Sequence, residues 1–192
     1  MRKPPSQDSR RNSDPGLIGF RPLRMDDLEM MHRWLNAPHV AKWWGAGPTM
    51  ESVVAKYAPR IAGREPTRCF LILYADEPIG HIQTYRIGSY PEYARSVAVD
   101  EAAAGIDLFI GSAEHVNGRL GAPLIVQFLR MIVFHDPEVE SCIIGPAAGN
   151  RAAIRVYEKV GFRYIKTVQV PGEPEPEYLM RIAKLATDHG LR

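Results

Sequence analysis

The 192-residue chain has little of several features that would define its class. It contains two cysteines, Cys69 and Cys142, each within an apolar stretch, which favours buried thiols over a disulfide framework or a metal site. No apolar run approaches the roughly 20 residues that a membrane-spanning helix needs. The basic N-terminus, MRKPPSQDSRRNSDP, lacks the apolar stretch of a secretory signal. We therefore expect a globular protein in the cytoplasm.

The charge balance gives no sign of a nucleic-acid surface. The net charge is +2 at pH 7. Residues 1–16 account for all of it, through the side chains of Arg2, Lys3, Arg10, Arg11, Asp8 and Asp14. The remainder of the chain is therefore about neutral. Because residues 1–16 are also rich in Pro, Ser and Arg, we expect a disordered tail there, followed by a single domain over residues 17–192.

Hydrophobic periodicity divides this domain into short strands and amphipathic helices. Strands are predicted at residues 17–23, 69–74, 78–87, 106–111, 141–145, 162–170 and 177–183. Helices are predicted at residues 25–35, 49–61, 122–134 and 150–160. The stretch NAPHVAKWWGAGP is predicted to be a loop, and residues 88–104 are predicted to be irregular.

The order of these elements predicts an α/β domain with a mixed sheet. The strands at 69–74 and 78–87 are separated by the turn sequence ADEP, which indicates an antiparallel hairpin. The strands at 106–111 and 141–145 are joined through a helix, so we expect them to be parallel neighbours.

A strand–loop–helix unit over residues 106–134 is the first candidate for chemistry. Its loop, HVNGRLG, contains two glycines and leads directly into the helix. Main-chain N–H groups of such a loop, together with the positive end of the helix, suit a pyrophosphate. Glycine also serves in ordinary turns, so the loop alone is compatible with either role.

The segment NRAAIRVYEKVGF is the second candidate. Asn150 opens a helix, Tyr157 lies two turns later on the same face, and Gly161 suits the residue just past the helix end. Taken alone, these residues are compatible with an N-cap and with core packing. The pattern N-x-x-A-x-x-x-Y-x-K-x-G-F nevertheless resembles the C-terminal signature of the GNAT superfamily of N-acetyltransferases. The resemblance implies a GNAT-like fold: a central mixed sheet of six to seven strands, about four flanking helices, and a splay between two parallel strands.

Within that superfamily, further segments resemble the aminoglycoside 6'-N-acetyltransferases: FRPLRMDDLEMMHRWLNAPHVAKWWG, DEPIGHIQTY, GIDLFIG and FHDPEVE. The resemblance covers about residues 17–183. It implies acetyl transfer from acetyl-CoA to the 6'-amine of an aminoglycoside, with a role in antibiotic resistance and with no metal. The expected partners are acetyl-CoA and a small cationic aminoglycoside, with no nucleic acid and no membrane. We expect a monomer or a weak homodimer.

The resemblance also implies a site for acetyl-CoA. The backbone of Leu108, Phe109 and Ile110 would pair with the pantetheine arm, and Asn150 would bond it. Tyr157 would lie near the thioester sulfur and protonate the leaving thiolate. The pyrophosphate would bind to the loop of Asn117, Gly118, Arg119, Leu120 and Gly121. The loop departs from the family pattern, because Val116 replaces a Gln or Arg and Arg119 replaces the inner glycine.

On the acceptor side, an amine must lose a proton before it can attack, so a carboxylate is expected nearby. The resemblance implies that Asp107 lies beside the amine and, counting without gaps from Tyr85, that Glu92 is the catalytic carboxylate. Acidic clusters in residues 92–107 and 173–177 suit a cationic substrate, although solvated loops would have the same composition. The expected substrate-binding residues are Trp43, Trp44, Glu92, Asp100, Asp107, Glu173 and Glu175.

The tryptophan pair and one glycine qualify this assignment. The WWG element would supply an aromatic wall for sugar rings, although core packing is the expected role of one of the two tryptophans. Gly145 stands where the resembled enzymes carry an acidic substrate contact, and Glu173 or Glu175 would have to compensate.

Three alternatives to the hypothesis of an aminoglycoside acetyltransferase stay open. They are an acetyltransferase for a lysine-derived amine in siderophore synthesis, a peptide N-acetyltransferase, and a silent module that binds CoA or an antibiotic. In the siderophore branch a histidine stands at the position of Asp107, which favours the aminoglycoside reading.

Overall fold

The computed structural model of the chain describes residues 14–45, 47–99, 102–116 and 119–184. Within these ranges the strands are β1 (Ile18–Pro22), β2 (Arg68–Tyr74), β3 (Glu77–Arg86), β4 (Ala104–Ile110), β5 (Ser141–Ile144), β6 (Arg163–Val168) and β7 (Glu177–Ala183). The helices are α1 (Leu28–Leu35), α2 (Pro38–Trp44), α3 (Met50–Ile61), α4 (Pro91–Val97), α5 (Gly121–Phe128) and α6 (Arg151–Val160). A π-helical turn, Leu129–Val133, continues α5.

The seven strands form one mixed sheet in the order β1-β2-β3-β4-β5-β7-β6. Only the neighbours β4 and β5 are parallel, and all other neighbours are antiparallel. The parallel pair is short, since it joins Ala104 to Cys142 and Gly105 to Ile143 and goes no further. β4 continues to Ile110 without β5, so the two strands diverge as the sequence analysis predicted.

Local sequence signals account for where the helices begin and end. The Thr49 side chain accepts a hydrogen bond of 3.2 Å from the Ser52 N–H and so caps α3. Asn150 caps α6 in the same way, through the Ala153 N–H at 3.2 Å. Gly161 ends α6 with φ of 111°, a left-handed conformation that favours glycine.

Two helical layers bury the faces of the sheet. On one face α5 and α6 contribute Leu124, Phe128 and Ile154, which pack with sheet residues such as Ile106. On the other face the core is formed by residues of α1, α2, α3 and the sheet: Leu28, Met31, Val40, Val53, Tyr57, Leu71 and Phe109. Both cysteines are free and buried, in agreement with the sequence analysis. None of the helices in the described part of the chain combines the length and apolar character that a bilayer crossing requires.

Two expectations about irregular segments need correction. Trp43 and Trp44 lie in the last turn of α2 and not in a loop, because Pro38 suits the first turn of a helix and Gly45, with φ of 84°, ends it. Residues 88–104 include α4, whose Ala94 and Val97 are buried against Ile143 and Leu179. Of the expected tail, residues 14–16 are described, and Pro15–Leu17 form a 3-10 turn capped by Asp14.

Candidate active site

A cleft of about 690 Å³ opens where β4 and β5 diverge. It brings together seven of the residues predicted from sequence to bind or react: Trp43, Trp44, Asp107, Leu108, Asn150, Tyr157 and Glu173. They come from α2, β4, α6 and the loop before β7, so only the folded chain assembles them.

Asp107 is held in this cleft by a chain of side-chain hydrogen bonds. β3 pairs with β4 so that Gln83 lies opposite Asp107, and the Gln83 amide donates to Asp107 Oδ2 at 2.8 Å. Gln83 Oε1 in turn accepts from Arg60 at 3.1 Å, and Arg60 also pairs with Glu65 at 2.9 Å. Burial raises the pKa of Asp107, and the hydrogen bond from Gln83 partly opposes that rise.

A wall of tyrosines lines the cleft beside Asp107. Tyr85, Tyr90 and Tyr93 all border it, and the rings of Tyr85 and Tyr90 lie 5.3 Å apart in an edge-to-face arrangement. The ring of Tyr85 lies so close to Gly105 that a Cβ there would come within 2.6 Å of it. The glycine that precedes Ile106 and Asp107 therefore makes room for this ring.

The two tryptophans that line the cleft have different surroundings. Trp44 stacks edge-to-face on the buried ring of Phe109 with centroids 5.0 Å apart, so it is anchored to the core. Trp43 is half-buried, borders the cleft, and has the ammonium of Lys42 4.6 Å from its ring centroid. Trp43 is thus the better placed of the two to contact a bound molecule.

Asn150 and Tyr157, the two residues at α6 that were predicted to contact the cofactor, both line the cleft. Burial raises the pKa of the Tyr157 phenol, which therefore keeps its proton at neutral pH and can donate it. Asn150 serves as the N-cap of α6 through its Oδ1 and also lines the cleft. The N-cap role and the binding role are therefore compatible.

The edge of β4 and the beginning of α5 offer main-chain groups to a cofactor. Leu108 and Ile110 are half-buried and Phe109 is buried, and beyond Gly105 this part of β4 does not pair with β5. The Ile110 carbonyl oxygen lies 3.0 Å from His39 Nε2, so it already has a hydrogen-bonding partner. No side chain in the described residues caps the N-terminus of α5, which suits a site for an anion.

The phosphate loop is only partly described. Asn117 and Gly118 lie outside the described residues. Arg119 is exposed and has φ of 59°, a conformation that glycine adopts more readily, so it occupies a glycine-like position without blocking a buried space. Leu120 is buried, and a Cβ on Gly121 would lie 3.0 Å from Val156 of α6. Close packing of α5 on α6 therefore accounts for Gly121.

The other acidic residues that were predicted to bind substrate lie in different places. Glu92 is exposed in the first turn of α4, where it borders an adjoining groove with Arg95 and Ser96 and does not line the cleft. This exposed position outside the cleft does not favour the role of base, which had been assigned to Glu92 only by counting residues from Tyr85 without gaps. Glu175 is exposed and is absent from the cleft lining, whereas the exposed Glu173 is part of it. Asp100 lies outside the described residues.

Besides the three tyrosines, the cleft residues that sequence analysis missed include four with charged or amide side chains: Lys56, Arg60, Gln83 and Glu177. Lys56 and Arg60 follow one another at helical spacing on α3, which places both on one side of that helix. Gln83 alternates with Tyr85 along β3, a period-two signal that could have placed both on one face. Glu177 was counted only as part of an acidic cluster.

Metal ligation finds no support in the part of the chain that the structure describes, since no three His, Cys, Asp or Glu side chains there form a group that could hold an ion.

Comparison with known proteins agrees with the fold and the cleft. Residues 24–170 match the model of the acetyltransferase (GNAT) domain, and the chain therefore belongs to the GNAT family of acetyltransferases. Within that family it is similar to the aminoglycoside N(6')-acetyltransferases. The type 1 enzyme of Klebsiella pneumoniae is 34% identical over 161 residues, which are 82% of this chain and 79% of the relative.

Solved structures extend this similarity to three dimensions. The crystal structure of aminoglycoside acetyltransferase AAC(6')-Ib in complex with coenzyme A and kanamycin has a TM-score of 0.79 at 30% identity, and covers 89% of this chain and 97% of that one. A more distant relative is the N(6)-hydroxylysine O-acetyltransferase of Escherichia coli. It is 23% identical over 180 residues, which are 87% of this chain and 54% of the relative.

Proposed function

We propose that this protein is an acetyl-CoA-dependent N-acetyltransferase that acetylates the 6'-amine of aminoglycosides in the cytoplasm. The observation that carries the proposal is the half-buried Asp107, oriented by Gln83 in a cleft that Trp43 also lines. A carboxylate beside an aromatic surface suits a cationic amino sugar, because the acid binds the ammonium and the ring covers the sugar face.

The geometry of the cleft fits acetyl-CoA. The unpaired edge of β4 can accept the amides of a pantetheine arm, and the uncapped N-terminus of α5 can bind its pyrophosphate. Asn150 and Tyr157 line the cleft between these features and the acceptor side. Acetyl-CoA supplies the acetyl group as a thioester.

The residues divide the chemistry between them. Asp107 holds the acceptor amine in the cleft, and a carboxylate nearby takes the proton that the amine must lose before it can attack. Tyr157, whose buried phenol stays protonated, donates its proton to the departing thiolate. The acetylated nitrogen is an amide and no longer carries a charge, so a drug that binds anionic RNA through its amines binds more weakly. This loss would confer resistance.

The test compares two aminoglycosides that differ only at the 6' position, one with an amine and one with a hydroxyl. Thiol release from acetyl-CoA is measured with each. We expect turnover with the amine form and none with the hydroxyl form, because only the 6'-amine reaches Asp107. Equal turnover of both forms would move the reaction to another amine.

A panel of other acceptors extends this comparison. Activity on a lysine derivative with none on either drug would favour the siderophore branch, to which the hydroxylysine O-acetyltransferase similarity points. Turnover of a peptide amine alone would favour a peptide acetyltransferase. Tight binding of acetyl-CoA without thiol release from any acceptor would indicate a silent binding module.

A further inference from the structure

The position of Glu177 is set by its backbone. Glu177 is the first residue of β7, and the chain on either side of it is hydrogen-bonded to the segment that follows β5. The Tyr178 N–H donates to the Pro146 carbonyl at 2.8 Å, and the Ala148 N–H donates to the Pro176 carbonyl at 2.9 Å. These two bonds hold Glu177 beside Gly145, at the point where β5 ends.

Gly145 leaves the space that the Glu177 carboxylate fills. A Cβ built on Gly145 would lie 2.1 Å from Glu177 Oε2 and 2.8 Å from its carboxyl carbon. Any side chain at position 145 would therefore displace the carboxylate. Gly145 stands where the resembled enzymes carry an acidic substrate contact. Glu177, on the neighbouring strand, places a carboxylate at this corner of the cleft, so the compensating acid is Glu177 and not Glu173 or Glu175.

The surroundings of Glu177 disfavour its charged form. Its carboxylate lines the cleft and accepts a hydrogen bond of 2.9 Å from the Tyr93 hydroxyl. The charged groups that act on it in the described residues, Asp107 and Glu173, are both acidic. The cations of the cleft, Lys56 and Arg60, belong to α3. Burial first, and then these acids, raise the pKa of Glu177 to about 7, while the bond from Tyr93 lowers it.

We propose that Glu177 is the base that removes the proton from the acceptor amine in this cleft. The proposal rests on the acetyltransferase function proposed above. The Glu177 carboxylate accepts one N–H proton, and the nitrogen lone pair forms the C–N bond to the acetyl carbonyl carbon. The C–S bond breaks, its electron pair leaves on sulfur, and Tyr157 protonates that thiolate. The second N–H proton, which the nitrogen loses as it becomes an amide, returns the tyrosinate to its neutral form. Asp107 holds the amine, so the two carboxylates have separate roles.

A base is most effective when its pKa lies near the working pH, because it is then both ionised and basic enough. Glu177 meets this condition at neutral pH, whereas a solvated glutamate, with a pKa of 4.5, is a much weaker base. The cleft thus obtains a base by partly burying a carboxylate between the Tyr93 hydroxyl and Gly145.

The first experiment measures kcat and KM against pH for the protein and for Glu177→Gln, with a 6'-amino aminoglycoside and saturating acetyl-CoA. We expect Glu177→Gln to lower kcat by about 10²–10⁴-fold at pH 7, the usual worth of a positioned base. The defect should shrink at higher pH as neutral amine accumulates. Glu158→Gln, an exposed carboxylate of α6 outside the cleft, is the matched control and should leave kcat unchanged.

Several outcomes would overturn the proposal. Wild-type kcat in Glu177→Gln would show that another group is the base. A defect confined to KM, or one of equal size at every pH, would show that Glu177 only binds the substrate. Because Glu92 lies in the adjoining groove, Glu92→Gln should have a smaller effect than Glu177→Gln, and the reverse order would restore the sequence prediction. If the unmodified protein releases no thiol with any acceptor, the proposed function itself has failed.

A second experiment does not depend on the stability of Glu177→Gln. Gly145→Ala introduces the Cβ that displaces the carboxylate, so it should lower kcat in the otherwise unmodified protein. In a Glu177→Ala background there is no carboxylate to displace, so Gly145→Ala should have little further effect on kcat. Fully additive losses would show that Gly145 and Glu177 act independently, contrary to the proposal.

Discussion

The pKa values of the carboxylates in this cleft are shifted more by burial than by contact with a cation. Asp107 receives its hydrogen bond from the neutral Gln83, and Glu177 receives its bond from the neutral Tyr93. Neutral donors orient a carboxylate without lowering its pKa as far as a contacting cation does. In contrast, Arg21 contacts Asp27 at 2.7 Å away from the cleft, and the pKa of Asp27 is lowered.

The raised pKa of Glu177 has a consequence for stability. Its pKa is about 7 in the folded protein and 4.5 in a solvated glutamate. The folded state therefore binds this proton more tightly, and stability is lost as the pH rises from about 4.5 to about 7. Because Glu177→Gln cannot ionise, its melting temperature relative to the unmodified protein should be higher at pH 8 than at pH 5.

Melting curves of both proteins at the two pH values check this expectation without any assay of activity. An equal difference at pH 5 and pH 8 would mean that the Glu177 carboxyl is no harder to ionise in the folded state than in solvent.

At the scale of elements, the N-cap residue of α6 has a structural role and is also predicted to bind the cofactor. Asn150 Oδ1 caps the helix, and the same side chain lines the cleft. Asn150→Ala removes both, so it should destabilise the protein by about 1 kcal/mol and weaken acetyl-CoA binding. Asn150→Asp keeps the cap, since aspartate caps as well as asparagine, but it loses the amide donor.

We therefore expect Asn150→Asp to retain the melting temperature while acetyl-CoA binding, measured by calorimetry, becomes weaker. Unchanged binding in Asn150→Asp would restrict Asn150 to its N-cap role.

At the scale of the whole molecule, charge is distributed unevenly between cleft and body. The cleft contains the acids Asp107, Glu173 and Glu177 against Lys56 and Arg60, and Arg60 is paired with Glu65. An acidic cleft should attract a polycationic acceptor, and salt should screen that attraction. The value of kcat/KM for an aminoglycoside should therefore fall as salt rises from about 0.01 to about 0.15 M.

A monoamine acceptor provides the comparison, because its single charge should make the fall smaller. Equal salt dependence for the two acceptors would show that the field of the cleft does not steer the substrate.

The sequence by itself determined the class of the fold and most of its elements. Periodicity located all seven strands to within a few residues, and capping signals at Thr49, Asn150 and Gly161 marked helix ends correctly. The motif residues Asp107, Asn150 and Tyr157 were predicted together, and the structure places them in one cleft. These signals are local or carried by a contiguous motif, so they survive without knowledge of the tertiary structure.

Only the tertiary structure decided which acidic side chains lie in the cleft. Glu92 and Glu177 are similar in sequence terms, each a glutamate in an acidic cluster. α4 leaves the first in an exposed groove, whereas the pairing of residues 176–178 with residues 146–148 brings the second into the cleft. The register of β3 on β4, which sets Gln83 against Asp107, is likewise a long-range pairing. Such pairings depend on contacts between distant segments, and the ionisation of Asp107 and Glu177 depends on the burial that those contacts create.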